Sequence, residues 1–242
     1  AAGFQQPSRT TPRSMSRPTI TITGETPDRA RVEQLLLDDA ILVFDNCDFS
    51  GADLSRLNLQ DAVFRHCQLA ETSLYAARLA RTQWQRCRAG QADFESADLV
   101  DARFASCDLN NSSWRRAKLA SASFRSCKLT GANFEEVSYL GLSFEDTLLV
   151  GADLRRMSFR KMKLVGLDFA DADLSGCDFR DAVFEGGGLR DAHIRDTRFD
   201  GADLREADLG GLKLTNAKLF LGATISPRQA AELVRAMGLN VA

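Results

Sequence analysis

Residues 51–70 read GADLS-RLNLQ-DAVFR-HCQLA, and the fourth residue of each group of five is leucine or phenylalanine. The same spacing runs from Phe44 to Leu219, where every fifth residue is large and apolar except Ala89. The residue two places earlier is mostly small. A period of five forms no face on a helix, where it advances about 140° per repeat, and it alternates faces on a flat strand. We therefore predict that the chain turns a corner once per repeat, with four repeats to a turn, and stacks as a square-sided solenoid.

The repeat is long enough to dominate the chain. From Ile41 to Phe220 it shows no inserted or deleted residue, and its thirty-six repeats at 44–219 make nine coils. At about 4.8 Å per coil, the rod is expected to be roughly 43 Å tall. Glycine recurs two places after the central residue, as at Gly51, where a corner calls for positive φ. The predicted fold class is an all-β solenoid, one elongated domain over residues 44–220.

The segments before the rod carry different patterns. Residues 1–14 are polar and lead into Met15, so we interpret them as a tag or a disordered tail. Residues 15–43 are expected to hold a strand with a cap or an irregular first coil. Within them, the alternation TITIT at 19–23 predicts a short strand. Residues 27–39 fit either a helix opened by a proline or an irregular coil, and we favour the coil.

A short amphipathic α-helix is predicted at the other end, over residues 226–238. Ser226 and Gln229 have the spacing of a capping box, and Gly238 can end the helix. Two interpretations of its apolar residues stay open. They can seal the last coil, as solenoids require, or they can join two copies of the chain. The candidate dimer interface consists of Leu233, Val234, Met237, Leu239 and Val241.

The six cysteines all occupy the small position of the repeat. Five of them recur every twenty residues, which predicts a column on one wall with neighbours about 4.8 Å apart. A straight column cannot surround one metal ion tetrahedrally, and disulfides would be unusual in a chain with no recognisable export signal. We interpret these thiols as small buried apolar groups, which implies a reducing, cytoplasmic location. The residues are Cys47, Cys67, Cys87, Cys107, Cys127 and Cys177.

The sequence offers little for catalysis. Its two histidines, His66 and His193, lie about six coils apart, and no phosphate-binding loop or hydrolase motif is present. The many aspartates that precede a central residue fit the bonding of a turn to its own backbone. A filled core leaves no cleft, so we predict no enzymatic activity, catalytic residue, cofactor or metal site. A formal charge of −2 favours neither direct nucleic-acid binding nor membrane association.

The outer surface is then the part expected to act. Charges at outward positions on the cysteine wall sum to −4, whereas the other walls sum to between −1 and +2. We take the more acidic wall as a candidate partner-binding surface, although a scattered charge excess is also typical of a solvated face. Its acidic residues are Asp48, Glu71, Asp108, Asp168, Asp171, Asp191 and Asp208.

The repeat resembles the pentapeptide repeat family, whose consensus is A-(D/N)-L-x-x. Residues 51–55, 151–155 and 201–205 (GADLS, GADLR and GADLR) carry the likeness. The resemblance implies a right-handed quadrilateral β-helix. Three segments further resemble the Qnr and MfpA group, namely Gly24–Arg31, Asn46–Leu54 and Leu233–Val241.

That second resemblance implies a function. Members of the Qnr and MfpA group bind DNA gyrase and topoisomerase IV and protect them from fluoroquinolones. They form homodimers through their C-terminal helices, and the long dimer is thought to mimic duplex DNA. The expectation for this chain is a non-enzymatic homodimeric rod with a topoisomerase as partner. The alternative is a general protein-interaction scaffold with an unrelated partner. Two departures bear on the choice: the register has no room for the loops of Qnr proteins, and the solenoid is only weakly acidic.

Overall fold

The computed structural model describes residues 17–212 and 217–241. The tail predicted at residues 1–14 lies outside them, as does the repeat residue Leu214. The chain begins with strand β1, Thr19–Thr23, and helix α1, Arg29–Leu36. Eight further strands lie on one wall of the rod: β2 Ile41–Asp45, β3 Val63–Arg65, β4 Gln83–Gln85, β5 Arg103–Ala105, β6 Ser123–Arg125, β7 Ser143–Glu145, β8 Lys163–Val165 and β9 Val183–Glu185. A 3-10 helix, Ala217–Phe220, and helix α2, Pro227–Ala236, follow.

The strands confirm the all-β solenoid predicted from the period of five. All pairings are parallel, and in the paired strands from β2 onward each residue lies beside the one twenty places later, as Phe44 beside Phe64 and Phe64 beside Trp84. The other three walls are held by single bridges in the same register, such as Asp48 with Gln68. A strand so short is possible because each turn of chain crosses a wall in only a few residues before it bends.

The bends occur at the predicted corner positions. The Ala52 N–H donates to the Phe49 carbonyl at 2.8 Å, which closes a four-residue turn. The third residue of that turn, Gly51, has φ of 69°, a conformation that glycine adopts without steric cost. Arg56 and Asp61 adopt similar values, 61° and 65°, at the next two corners. The ladder therefore imposes a left-handed conformation on ordinary residues as well, because the corner must recur at every repeat.

The central residues fill the shaft with stacked side chains. The Phe64 and Trp84 rings lie parallel with centroids 4.0 Å apart, and Phe94 and Trp114 stack in a second column at 4.2 Å. Both tryptophans are fully buried. Each indole N–H has a hydroxyl partner, Thr82 at 2.9 Å for Trp84 and Ser112 at 2.7 Å for Trp114. The core thus buries both indole rings while leaving their donors satisfied.

All six cysteines are free and buried, which confirms their interpretation as small interior residues. Four of the thiols donate to backbone carbonyls of the preceding coil, for example Cys177 to Leu154 at 3.0 Å, and Cys107 and Cys127 donate to the residue two places earlier. Burial raises the pKa of Cys177 to about 12, because the charged thiolate would lose its hydration. The next residue in the cysteine column, Thr147, keeps the pattern by donating its hydroxyl to Glu145 at 2.8 Å.

The irregular coil expected before the rod is wrong for residues 29–36, which form helix α1. The Asp28 carboxylate accepts from the Arg31 N–H at 2.8 Å and so caps the helix. Val32 and Leu35 are buried in the hydrophobic core. A helix fits here because it covers the apolar face of the first turn, which no earlier coil protects.

The far end of the rod also differs from the expectation. Phe199 donates to the Leu219 carbonyl, twenty residues on, whereas Phe179 donates to Arg198, nineteen residues on. One extra residue therefore enters the last turn, and Phe220 stacks on Phe199 at 4.8 Å in the place predicted for Leu219. The uninterrupted register to Phe220 is wrong, and the rod has about eight turns rather than nine.

Candidate partner-binding surfaces

The acidic residues predicted on one wall do lie on one wall. A continuous series of bridges links positions 48 through 208 in steps of twenty, which places Asp48, Asp108, Asp168 and Asp208 in one row along the middle of the face. Glu71, Asp171 and Asp191 occupy the adjoining corner row, with φ of 56°, 55° and 52°. We call the seven residues together the acidic wall.

Part of each mid-row carboxylate is already engaged. Asp48 accepts from the Ser50 N–H at 2.9 Å, and Asp208 accepts from the Gly210 N–H at 2.9 Å. Hydrogen bonds from the Ser50 side chain and backbone hold the pKa of Asp48 below its usual range, and the bond from the Gly210 N–H does the same for Asp208, because they favour the charged form. The same bond to the second following residue recurs on every wall, which confirms the turn interpretation of the aspartates. One oxygen of Asp48 remains for a partner, whereas Asp208 also binds Arg190 at 2.6 Å.

The charge on this wall is uneven along the rod. In the first half, Arg88 and Lys128 stand in the same row as Asp48 and Asp108 and offset them. In the second half, the row and its corner contain Asp168, Asp171, Asp191 and Asp208, and Arg190 is the only base. The negative charge is therefore concentrated toward the end of the rod that carries helix α2.

Helix α2 is anchored to the last turn by one glutamine. The Gln229 side-chain amide donates to the carbonyls of Leu204 and Ala207, each at 2.7 Å. The predicted capping box is confirmed, since Ser226 and Gln229 exchange side-chain bonds to each other's backbone. This arrangement closes the core with hydrogen bonds and leaves the apolar residues of the helix free to point elsewhere.

The predicted dimer residues differ in their exposure to solvent. Leu233, Val234 and Val241 are half-buried, whereas Met237 is 72% exposed and Leu239 is 57% exposed. Leu221, which the sequence analysis missed, is 71% exposed after the 3-10 helix. We call these six residues the apolar end. Large exposed apolar side chains gathered at one end of a rod are typical of an interaction site.

The rod also contains an opening that the sequence analysis did not foresee. Within the described residues, five ladder hydrogen bonds present at the neighbouring turns are missing between residues 136–142 and 155–163. The sheet ends at β7 and restarts at β8 for the same reason. In place of one lost bond, the Ser158 N–H donates to the hydroxyl oxygen of Tyr139 at 3.1 Å. Leu140 beside it is 87% exposed.

The cause of the opening is crowding in the shaft. Phe134, Tyr139 and Phe144 are the only three consecutive central residues that are all aromatic. One turn earlier the same places hold Trp114, Leu119 and Phe124, and that turn is regularly bonded. Three rings in direct succession crowd neighbouring positions, and the middle one, Tyr139, is only half-buried with its hydroxyl against the Ser158 N–H, so the coil spreads there. The signal was present in the sequence, but a rule that treats all large apolar residues alike cannot detect it.

A cleft of about 610 Å³ lies at this opening, so the expectation of a shaft with no cleft is wrong at one place. Its apolar lining includes Val137, Tyr139 and Met157 from the two separated turns. Charged residues of both signs surround them: Glu135, Glu136, Arg155, Arg156, Arg195 and Asp196. The cleft lies on a different wall from the acidic row.

The two histidines are not part of any shared site. The His66 ring lies 3.3 Å from the Asp45 carboxylate on the surface. His193 lies several turns away, where its backbone forms a β-bridge with Asp173. Across the described ranges, no group of three or more histidine, cysteine or acidic side chains is arranged to hold a metal ion. No helix in the same ranges has both the length and the apolar character needed to cross a membrane.

These features define a four-walled β-solenoid whose interior is filled and whose outer walls are available for binding. The chain belongs to the pentapeptide repeat family. The family model for the pentapeptide repeat region matches residues 42–114, and the model for eight pentapeptide copies matches 97–135, 147–186 and 189–219. Together they cover well over half of the chain. The models pass over residues 136–146, the stretch in which the ladder opens.

Solved structures with the same fold include QnrB1, a plasmid-mediated fluoroquinolone resistance protein. A trypsin-treated form is 24% identical with a TM-score of 0.50, and the alignment covers 93% of this chain and 99% of that chain. Full-length QnrB1 is 23% identical with a TM-score of 0.49, and the alignment covers the same shares of the two chains. HetL, from the cyanobacterium Nostoc sp. strain PCC 7120, is 19% identical with a TM-score of 0.33, and the alignment covers 83% of this chain and 92% of that chain. At 24% identity, the likeness to the trypsin-treated form shows the fold alone. No curated protein matches the sequence significantly.

Proposed function

We propose that this chain is a non-enzymatic rod that binds DNA gyrase or topoisomerase IV as a DNA mimic and modulates the action of fluoroquinolones on them. The observation that carries the proposal is the dense second half of the acidic wall. Asp168 and Asp208 lie two turns apart, or about 10 Å at one strand spacing per turn. That length holds four carboxylates and one arginine, a net charge of −3.

The charge spacing supports mimicry over a limited length. One strand of duplex DNA carries a charge about every 3.4 Å, or about three over the same 10 Å. The first half of the wall falls well below that density, because Arg88 and Lys128 stand among its acids. We therefore place the DNA-like surface near helix α2 rather than along the whole rod. The shared fold with a fluoroquinolone resistance protein is consistent with this function.

The apolar end supports a homodimer as the acting form. Met237 and Leu239 are more than half exposed on and just after helix α2. Burying these side chains against a second copy would remove them from water, at about 25 cal/mol per Å² of apolar surface. A dimer joined there would also bring two dense acidic stretches toward one centre. That would lengthen the DNA-like surface without requiring new residues.

A gyrase supercoiling assay with and without a fluoroquinolone tests the proposal. The variant Asp168→Asn, Asp171→Asn, Asp191→Asn, Asp208→Asn removes four charges yet keeps an oxygen that can bond to each turn. It is expected to lose any effect on gyrase. The matched control changes four turn aspartates of the next wall, Asp53, Asp93, Asp153 and Asp173, and should retain the effect. Unmodified protein that neither inhibits nor protects gyrase would overturn the proposal.

The second candidate is a protein-interaction scaffold with an unrelated partner, in the cytoplasm as the free thiols suggest. Its specific support is the cleft beside Tyr139, which lies outside the acidic wall and carries both signs of charge. An absence of any gyrase effect, together with binding at the cleft, would favour this function.

A further inference from the structure

The opening leaves backbone groups without partners on both of its edges. Among the described residues, the N–H groups of Glu136, Tyr139 and Gly141 have no backbone acceptor, whereas their equivalents one turn earlier donate at 2.7–2.9 Å. The facing carbonyls of Arg155 and Arg160 accept no hydrogen bond either. Unpaired N–H and C=O groups along a strand are a template for another strand. The missing partner has the chemistry of an extended polypeptide.

The charges in the cleft agree with such a partner. Glu136, Arg156, Arg195 and Asp196 line it, and within the described part of the chain none of them forms an ion pair within 4.0 Å. A nucleic acid, with uniform negative charge, would meet two repelling carboxylates here. A peptide with side chains of both signs can satisfy all four groups. The volume of about 610 Å³ lies within the range of about 300–1,000 Å³ typical of ligand clefts.

Leu140 supplies an apolar contact at the same place. Its side chain is 87% exposed directly after Tyr139. At this turn position other turns have Gln60, Ala80, Val100, Ala120 and Arg160, so no leucine recurs there. Alternate side chains of an added strand point to opposite sides, so one set can face Leu140 while the backbone bonds to the open edge.

We propose that the opening at Tyr139 binds an extended peptide segment of a partner protein, which adds to the free edge of residues 136–142 as a strand. This inference does not depend on gyrase binding, because it concerns another wall and another kind of contact. Tyr139 keeps the edge available by preventing the next turn from bonding to it. The stretch departs from the family repeat, and the site is accordingly a property of this chain rather than of the repeat.

The test begins with an array of synthetic ten-residue peptides of random sequence, probed with the full chain. Peptides that bind are resynthesised with fluorescein and titrated by fluorescence anisotropy. The Tyr139→Leu variant, which restores the residue type of Leu119, should bind at least tenfold more weakly because the ladder closes. Tyr75→Leu, the same substitution at an outward-facing turn position on another wall, should leave the Kd unchanged within twofold.

Two further measurements separate strand addition from other modes. Peptides N-methylated at alternate backbone positions should lose binding, and bound peptide should slow hydrogen exchange at Glu136, Tyr139 and Gly141. Leu140→Ser, at an exposed position, should weaken binding at least threefold without affecting the fold. The proposal is overturned if no peptide in the array binds, if Tyr139→Leu binds equally well, or if the protected amides lie elsewhere.

Discussion

Replacing Tyr139 by leucine should stabilise the protein, although removal of a large core residue normally does the opposite. Large-to-small core changes of aromatic residues cost about 3–5 kcal/mol. Here the change re-creates the arrangement of Trp114, Leu119 and Phe124 one turn earlier, where the ladder is intact. Five backbone hydrogen bonds are missing at Tyr139 and can form once the ring is gone.

The size of the effect follows from those bonds. At about 1 kcal/mol net each, five restored bonds contribute about 5 kcal/mol. Against this stand the lost bond from Ser158 to the Tyr139 hydroxyl, about 1 kcal/mol, and the apolar burial of a half-exposed ring, about 1–2 kcal/mol. The net expectation is a gain of about 2 kcal/mol in the free energy of unfolding.

Urea denaturation followed by circular dichroism measures the difference, with native-state hydrogen exchange to localise it. Amides at Glu136, Gly141 and Lys163 should become slower to exchange in the variant, whereas amides two turns away should not change. Tyr75→Leu is the control and should shift stability by less than about 0.5 kcal/mol, as is usual at surface positions. A loss of 1 kcal/mol or more in Tyr139→Leu would show that Tyr139 fills the core rather than wedging it open.

Three other expectations concern the thiols and the C-terminal end. The pKa of Cys177 is raised from 9.0 to about 12 in the folded state, so its contribution to stability is complete below pH 9 and is lost as the pH rises toward 12. Over that range the free energy of unfolding should fall by up to about 1.4 kcal/mol per pH unit for this thiol. The fall should be less steep in the Cys177→Ala variant. The six thiols should react with Ellman's reagent at pH 8 only after unfolding, and rapid labelling of the native protein would contradict their burial. Met237→Asp with Leu239→Asp should convert a dimer to a monomer in light scattering, with the far-UV spectrum unchanged; an unaltered mass would remove the apolar end as the interface.

Much of the rod could be read from the sequence because its rule is strictly local. A central residue such as Leu54 must point inward, a small residue must precede it by two, and the corner follows, so the period alone sets the number of walls. Gly51 and the capping box at Ser226 were equally accessible, since each depends on a few adjacent residues. These features need no knowledge of what lies across the shaft.

The predictions that failed depend on residues that are far apart in the sequence. Whether residues 29–36 form a helix or a coil depends on covering the first turn, which is a tertiary requirement. The extra residue before Leu219 leaves no mark in the five-residue period, because the central positions continue in sequence while the chain changes course in space. The opening at Tyr139 arises where three rings follow one another directly, and no single position reveals that succession.

The two lengths of rod on either side of Tyr139 stack their rings differently. Before it, aromatic columns run through Phe64 and Phe124 and through Phe94 and Phe134; after it, they run through Phe159, Phe179 and Phe199. Each length is stiff, because its rings and ladder repeat without interruption, whereas the step between them has lost part of one wall. Under axial tension the load would gather at that step. We therefore expect bending of the rod to concentrate at that step, which would aim one length of the rod relative to the other.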